Sequence, residues 1–282
     1  MLMENFHQKP NVYVEQVSLN VLDLKKAVQF YTEIIGFKVL KQTEQKANLT
    51  ADGKTLLLTL EQPKDVIPKE DKSAGLYHFA ILLPTRADLS VFLRHIIKTG
   101  YPLGASDHHV SEALYMTDPD GNGIEIYIDR PSSEWKWTDG EIHMVTDPLD
   151  RDGLLAESNA EWTGLPVGTI MGHIHLHVSD LKEAEEFYVN GLGFEIVSHY
   201  PQALFISSGG YHHHIAINTW QGVGAPKRLK NMVGLNWYTT VFPDVEMRKQ
   251  AINRLENIGA TVSEDDGLFV TEDPAGNYIH LV

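Results

Sequence analysis

Residues 14–40 and residues 171–197 are two copies of one segment. At a constant offset of 157 residues, Leu19 falls on Leu176, Asp23 on Asp180, Phe30-Tyr31 on Phe187-Tyr188, and Gly36-Phe37 on Gly193-Phe194. An ungapped run of identities at one spacing marks a duplicated supersecondary unit. Such a unit cannot bury its apolar face alone, so the architecture must be built by pairing copies. Each copy reads as strand, helix, strand. Asp23 and Asp180 stand where a helix N-cap belongs. Ala27, Phe30 and Tyr31, and their counterparts Ala184, Phe187 and Tyr188, form an apolar stripe at helical spacing that is read as core. Gly36 and Gly193 stand where the helix end calls for a left-handed residue.

A second pair of related segments completes the pattern. Residues 76–83 form a strand, and Leu89 to Lys98 an amphipathic helix. Ala113 to Met116 and Gly123 to Ile128 form strands about the turn Asp118-Pro119-Asp120-Gly121-Asn122. The chain's end repeats the plan, with a strand over Leu235 to Val241 and a helix over Val245 to Asn257. Strands over Leu268 to Thr271 and Tyr278 to Val282 then flank Asp273-Pro274-Ala275-Gly276-Asn277. The fold class is α+β, built from four βαβββ modules. Residues 1–130 hold modules one and two, and residues 170–282 hold modules three and four. Residues 131–169, with Pro131, Gly153 and Gly164, join them, and residues 61–75 read as a solvated loop.

Composition narrows the class of function. An apolar fraction of 43% and a charged fraction of 22% over 282 residues describe an ordinary globular chain of about two domains. No apolar run reaches the roughly 20 residues of a membrane span, and residues 1–10 lack the apolar stretch of a signal peptide. A formal charge of −15 argues against nucleic acid. With no cysteine, any metal must be held by imidazole and carboxylate, and a cytoplasmic location fits. Histidine, at 14 residues, is abundant enough that its placement matters.

Strict alternation over Gly172 to Val178 reads as a half-buried strand. Ile174, Leu176 and Val178 share one face, and His173, His175 and His177 the other. A solvated polar face would account for one such strand by itself. Its relatives change the weighing. Superposing the modules puts Gln16, His78, His173 and Trp237 at one position of the opening strand. The matching position of the closing strand holds Glu125 in module two and His280 in module four. Reading His212 to Ile217 as a strand puts His214 there in module three, whereas module one has only leucines, around Leu56 to Leu58.

The duplication, the Phe-Tyr helix followed by Gly-Phe, and the Asp118–Asn122 turn running into Glu125 resemble the vicinal oxygen chelate superfamily. That family includes glyoxalase I, extradiol ring-cleavage dioxygenases and bleomycin-resistance proteins. Residues 76–84, 110–131, 172–184 and 209–215 resemble two-domain bacterial enzymes of the catechol 2,3-dioxygenase kind. The resemblance covers nearly the whole chain. It implies that modules pair into two curved, barrel-like sheets and that a metal is held by first and last strands. The chain departs from the usual extradiol pattern, because module four offers Trp237 for a histidine and His280 for a glutamate. Pairing modules two and three instead brings His78, Glu125, His173 and His214 together. That set contains the two-histidine, one-carboxylate face of non-haem Fe(II) oxygenases.

The expected metal is Fe(II), with Mn, Ni, Zn or Co as other divalent candidates. The expected reactants are a small aromatic diol and O2, and assembly into a homo-oligomer is compatible with the sequence. His212, sharing a face with His214 under alternation, and His175, beside His173, are the candidates for acid–base work. His108 and His109 could line the pocket, with a plain loop the simpler reading. A glyoxalase-type isomerase or lyase, or a metal-free binding protein for aromatic ligands, would use the same scaffold, and oxygen uptake separates the first of these from a dioxygenase.

Overall fold

The structure, a computed structural model, describes residues 5–70 and 72–282. The repeat folds as its sequence dictates. β1 (Tyr13–Asn20) leads into α1 (Leu24–Phe30), where the Asp23 carboxylate accepts from the Lys26 amide at 3.0 Å. A π-helical turn over Tyr31–Ile35 follows and stops at Gly36, whose φ of 94° is the left-handed conformation the sequence required. β2 (Lys38–Gln42), β3 (Lys46–Thr50) and β4 (Leu58–Glu61) complete module one. Module two comprises β5 (Gly75–Leu82), α2 (Arg86–Thr99), β6 (Gly104–Asp107), β7 (Ser111–Thr117) and β8 (Gly123–Asp129). Helix α2 is longer than its apolar stripe because Thr85 caps it one turn earlier, accepting from the Asp88 amide.

The joining segment forms a short hairpin, β9 (Trp137–Thr138) with β10 (Glu141–Ile142), and one helix, α3 (Arg151–Ala156). Module three is β11 (Ile170–His177), α4 (Leu181–Glu185) with its own π-helical turn, β12 (Glu195–Tyr200), β13 (Ala203–Ser207) and β14 (Ile215–Asn218). Module four is β15 (Gly234–Val241), α5 (Val245–Asn257), β16 (Val262–Asp265), β17 (Leu268–Glu272) and β18 (Tyr278–Leu281). No helix among the described residues is long and apolar enough to cross a membrane.

Two eight-stranded sheets result, and each takes one module from either half of the chain. One runs β16-β17-β18-β15-β1-β4-β3-β2, the other β12-β13-β14-β11-β5-β8-β7-β6. Modules one and four thus share a sheet through antiparallel β1 and β15, and modules two and three through antiparallel β5 and β11. One face of the second sheet, with Phe79, Ile81, Ile124, Ile126, Ile174, Leu176, Ile215 and Ile217, is fully buried in the apolar core with α2 residues Leu89, Phe92 and Ile96. Period-two alternation then commits His78, Ala80, Glu125, His173 and His175 to the opposite, concave face.

The reading of His212 to Ile217 as one strand is corrected here. The ladder with β11 begins only at Ile215, and residues 211–214 are irregular. Alternation therefore does not govern where the three histidines point.

Candidate metal centre

Glu125 sits on β8 directly beside Ala80 of β5, and Ala80 is in turn paired with His173 of β11. A methyl group between the carboxylate and the imidazole leaves the space between them open. One rung away, His78 pairs with His175 and lies next to Gly123. A Cβ on Gly123 would strike the Tyr77 carbonyl, so only glycine lets β8 approach β5 this closely. Gly172 plays the same part at β11, where a Cβ would collide with the Tyr127 hydroxyl and drive Tyr127 off the His173 ring.

His78, Glu125 and His173 bring their ligand atoms within 4.8 Å of one another, and all three are buried. Glu125 Oε2 lies 3.0 Å from His78 Nε2 and 3.3 Å from His173 Nε2. His78 Nε2, though close, is off the hydrogen-bonding angle and has no hydrogen-bond partner. A buried nitrogen of that kind costs free energy unless something else engages it. Donors about 2.1 Å from one divalent cation and mutually cis would stand about 3 Å apart, close to the two spacings from Glu125 Oε2. The donor set therefore fits a metal. Burial lowers His173 to about 4, which keeps its ring neutral. Burial works to raise the Glu125 carboxyl, but the imidazoles of His173 and His78 outweigh it and hold the carboxyl well below the usual range.

His78 and Glu125 border a cavity of about 180 Å³, and His173 adjoins it through the His213 ring. Drug-sized ligands occupy pockets of roughly 300–1,000 Å³, so this one suits a single-ring molecule. Its walls include Tyr77, Phe205 and Trp220, and Met144 and Val145 of the joining segment close one side. Tyr115 and His213 are among the further polar groups that reach it. Tyr115, paired with Glu125 across the β7–β8 hairpin, gives its hydroxyl proton to His108 Nε2 at 2.5 Å, while His108 Nδ1 donates to the Val145 carbonyl. Burial, reinforced by Glu125, pushes the Tyr115 phenol well above its ordinary range, so it stays protonated. His213 packs against His173 with ring centroids 4.1 Å apart and also lines the cavity.

Of the residues expected from sequence, the fold brings His78, Glu125 and His173 together and leaves His214 outside. His214 Nε2 donates to the Phe6 carbonyl at 3.1 Å, and its Nδ1 accepts from the Ser208 amide at 3.2 Å, so both nitrogens are committed to backbone. It anchors the amino-terminal segment, in which Phe6 stacks on Trp135 and His7 bonds the Gly172 carbonyl at 2.7 Å. His212 is fully buried against Asp129 and does not line the cavity. His175 does line it, but its Nε2 accepts from the Asn218 side chain at 2.8 Å. His213 and Tyr115 were not singled out by the sequence. The cross-strand position of Tyr115 opposite Glu125 was a usable signal for one of them, and the irregular backbone hid the other. Trp237 and His280 stack on each other in the other sheet at 4.3 Å.

The model of the glyoxalase/bleomycin resistance protein/dioxygenase superfamily matches residues 13–126 and 170–281, and the chain belongs to that family. It is 48% identical to a protein named catechol-2,3-dioxygenase from Bacillus subtilis (strain 168), over 99% of this chain and 100% of that one. It is 29% identical to biphenyl-2,3-diol 1,2-dioxygenase 3 of Rhodococcus globerulus, over 52% of this chain and 81% of that one. The crystal structure of glyoxalase I from Zea mays superposes with a TM-score of 0.58 at 17% identity, covering 96% of this chain and 92% of that one, a likeness of fold.

Proposed function

We propose that this protein is an Fe(II)-dependent extradiol dioxygenase that opens the ring of catechol, or of a substituted catechol, with O2. The observation that carries the reading is the His78–Glu125–His173 cluster, of which His78 and Glu125 line a one-ring cavity together with His213 and Tyr115. The identity of 48% along the whole chain to a catechol-2,3-dioxygenase supports it. His78, Glu125 and His173 would hold the iron, and bound Fe(II) would supply adjacent coordination positions for two vicinal oxygens and O2.

The chain's own part is orientation and proton handling. Ring opening leaves both atoms of O2 in the product with no net proton consumed, so the group that accepts the substrate's hydroxyl proton must return it. His213, an imidazole that lines the cavity beside His173, is the group placed for that task. Tyr115, whose hydroxyl proton goes to His108 Nε2, fixes that imidazole at the cavity and leaves its own oxygen there as an acceptor for a substrate hydroxyl. Tyr77, Phe205 and Trp220 exclude water and stack on an aromatic ring. The reading goes with a cytoplasmic location and with small-molecule partners alone.

Oxygen consumption with catechol, on protein purified anaerobically and loaded with Fe(II), tests it. Uptake with a yellow ring-opened product is expected. No uptake with Fe(II) bound and catechol varied across its substituents would turn the reading toward metal-dependent isomerase or lyase chemistry.

A further inference from the structure

Behind the cavity wall lies a chain of polar contacts that the proposed chemistry does not itself explain. Asp129 Oδ1, at the end of β8, is 2.7 Å from His212 Nε2 and also accepts from the Tyr211 hydroxyl at 3.2 Å. His212 Nδ1 is 2.8 Å from His213 Nδ1. Tyr211 covers the His212 ring at 4.0 Å, Trp135 flanks it at 5.3 Å, and His212 is 0% exposed. The Tyr127 hydroxyl meets that of Tyr211 at 2.7 Å and so joins the same chain. The one cation adjoining Asp129 along the chain, Arg130, turns its guanidinium to Asp107 and Glu112 instead.

The direction of each bond follows from what its partner can do. A carboxylate only accepts, so His212 must carry its proton on Nε2. With His212 neutral, its Nδ1 is a lone pair, and the neighbouring His213 Nδ1 is the donor. A neutral imidazole with its proton on Nδ1 has a bare Nε2, which is the remaining polar atom of a ring that lines the cavity.

We infer that Asp129 and His212 are positioning residues, a hydrogen-bonded chain that holds His213 in the tautomer protonated at Nδ1 and so aims a proton-accepting Nε2 into the cavity. The consequence for catalysis rests on the dioxygenase reading above. The tautomer itself does not. In the opposite tautomer Nε2 would carry the proton, and His213 could not take one from a substrate hydroxyl without first losing its own. His212 acts only through His213, which distinguishes it from the acid–base group expected from its sequence position.

The test begins with the full-length, metal-free protein labelled with 15N at histidine, and long-range 1H–15N correlation of the ring nitrogens. The His213→Asn protein assigns the His213 signals. The expected spectrum shows His213 protonated at Nδ1 and bare at Nε2. A proton on Nε2 of His213, or a doubly protonated His212, overturns the inference without any variant having to fold. Two substitutions then separate positioning from packing. His212→Gln spaces an amide N–H toward Asp129 and an amide oxygen toward His213 much as the two ring nitrogens do, whereas His212→Phe fills the same volume with neither. His212→Gln is expected to keep the tautomer. His212→Phe is expected to mix the two forms and, in the Fe(II)-loaded enzyme, to lower kcat by ~10- to 100-fold with the KM for catechol within about twofold. An unchanged tautomer in folded His212→Phe refutes the chain. Because the spectrum needs neither O2 nor substrate, failure of the dioxygenase assay and failure of this inference are distinguishable.

Discussion

His213 and His214 are adjacent imidazoles with different work, and only the backbone decides which does what. His214 spends both nitrogens on Phe6 and Ser208, while His213 keeps one for the cavity. Replacement should separate the residues cleanly. His78→Ala, Glu125→Gln and His173→Ala are each expected to reduce bound metal from about one per chain to near none, because two remaining donors do not fix a site. His214→Ala, Trp237→Ala and His280→Ala should keep it, with His214→Ala paying only in stability through the loosened amino-terminal segment. Metal analysis of the purified variants decides, and stoichiometric metal in His173→Ala would rule out this donor set. The convergence of His78, Glu125 and His173 was legible in the sequence because all three lie on strands, where period two fixes the face. His213 was not, since residues 211–214 leave the strand and alternation there picks the wrong pair.

At the scale of elements, the aromatic pair of each repeat does more than fill the core. Tyr31 is fully buried, as its helical spacing required, and its hydroxyl also bonds Asp118 Oδ2 at 2.9 Å. Tyr188 makes the equivalent bond to Asp273 at 2.8 Å. Each tyrosine thus ties the helix of one module to the hairpin turn of the next, where Asp118 and Asp273 also cap their own turns through Asn122 and Asn277. The N-caps, the left-handed glycines and these turns were readable because each is a local demand of the backbone. The tether was not, for it joins residues 87 positions apart and only the folded chain makes it. Tyr31→Phe and Tyr188→Phe should each cost ~1.5–3 kcal/mol, the range for a hydrogen bond to a charged group. The two should differ at the metal. The Asp118 turn feeds β8 and Glu125, whereas the Asp273 turn feeds β18 of the other sheet, so only Tyr31→Phe should also weaken metal binding. Thermal unfolding alongside metal titration reads both effects, and equal metal affinities in the two variants would show that the turn does not position Glu125.

For the molecule as a whole, the crossing of modules between sheets gathers imidazoles from both halves into one dry interior, and that makes stability depend on pH. Pairing within each half would have kept His78 and His173 apart, and sequence periodicity alone could not choose between the pairings because every module has the same pattern. Burial lowers His7, His173 and His177 to about 4 and pushes His175, His213 and His214 well below their ordinary value. In the unfolded chain these rings titrate near 6.5. As pH falls below that value the unfolded state takes up protons that the folded state refuses, so folding is progressively penalised. The stabilisation is therefore complete above about pH 7 and is lost as pH drops from about 6.5 toward 4. Glu125, held low in the folded state, adds to the loss only once pH approaches the ordinary carboxyl range. Six rings acting together should make the decline steep. The melting temperature of metal-stripped protein is expected to be flat between pH 7 and 8 and to fall sharply between pH 6.5 and 5. With a divalent metal present the fall should begin at lower pH, because protons must then displace the ion before His173 can charge. A melting temperature indifferent to pH over that range in the stripped protein would mean that these imidazoles are solvated, and the dry interior on which the candidate centre depends would have to be abandoned.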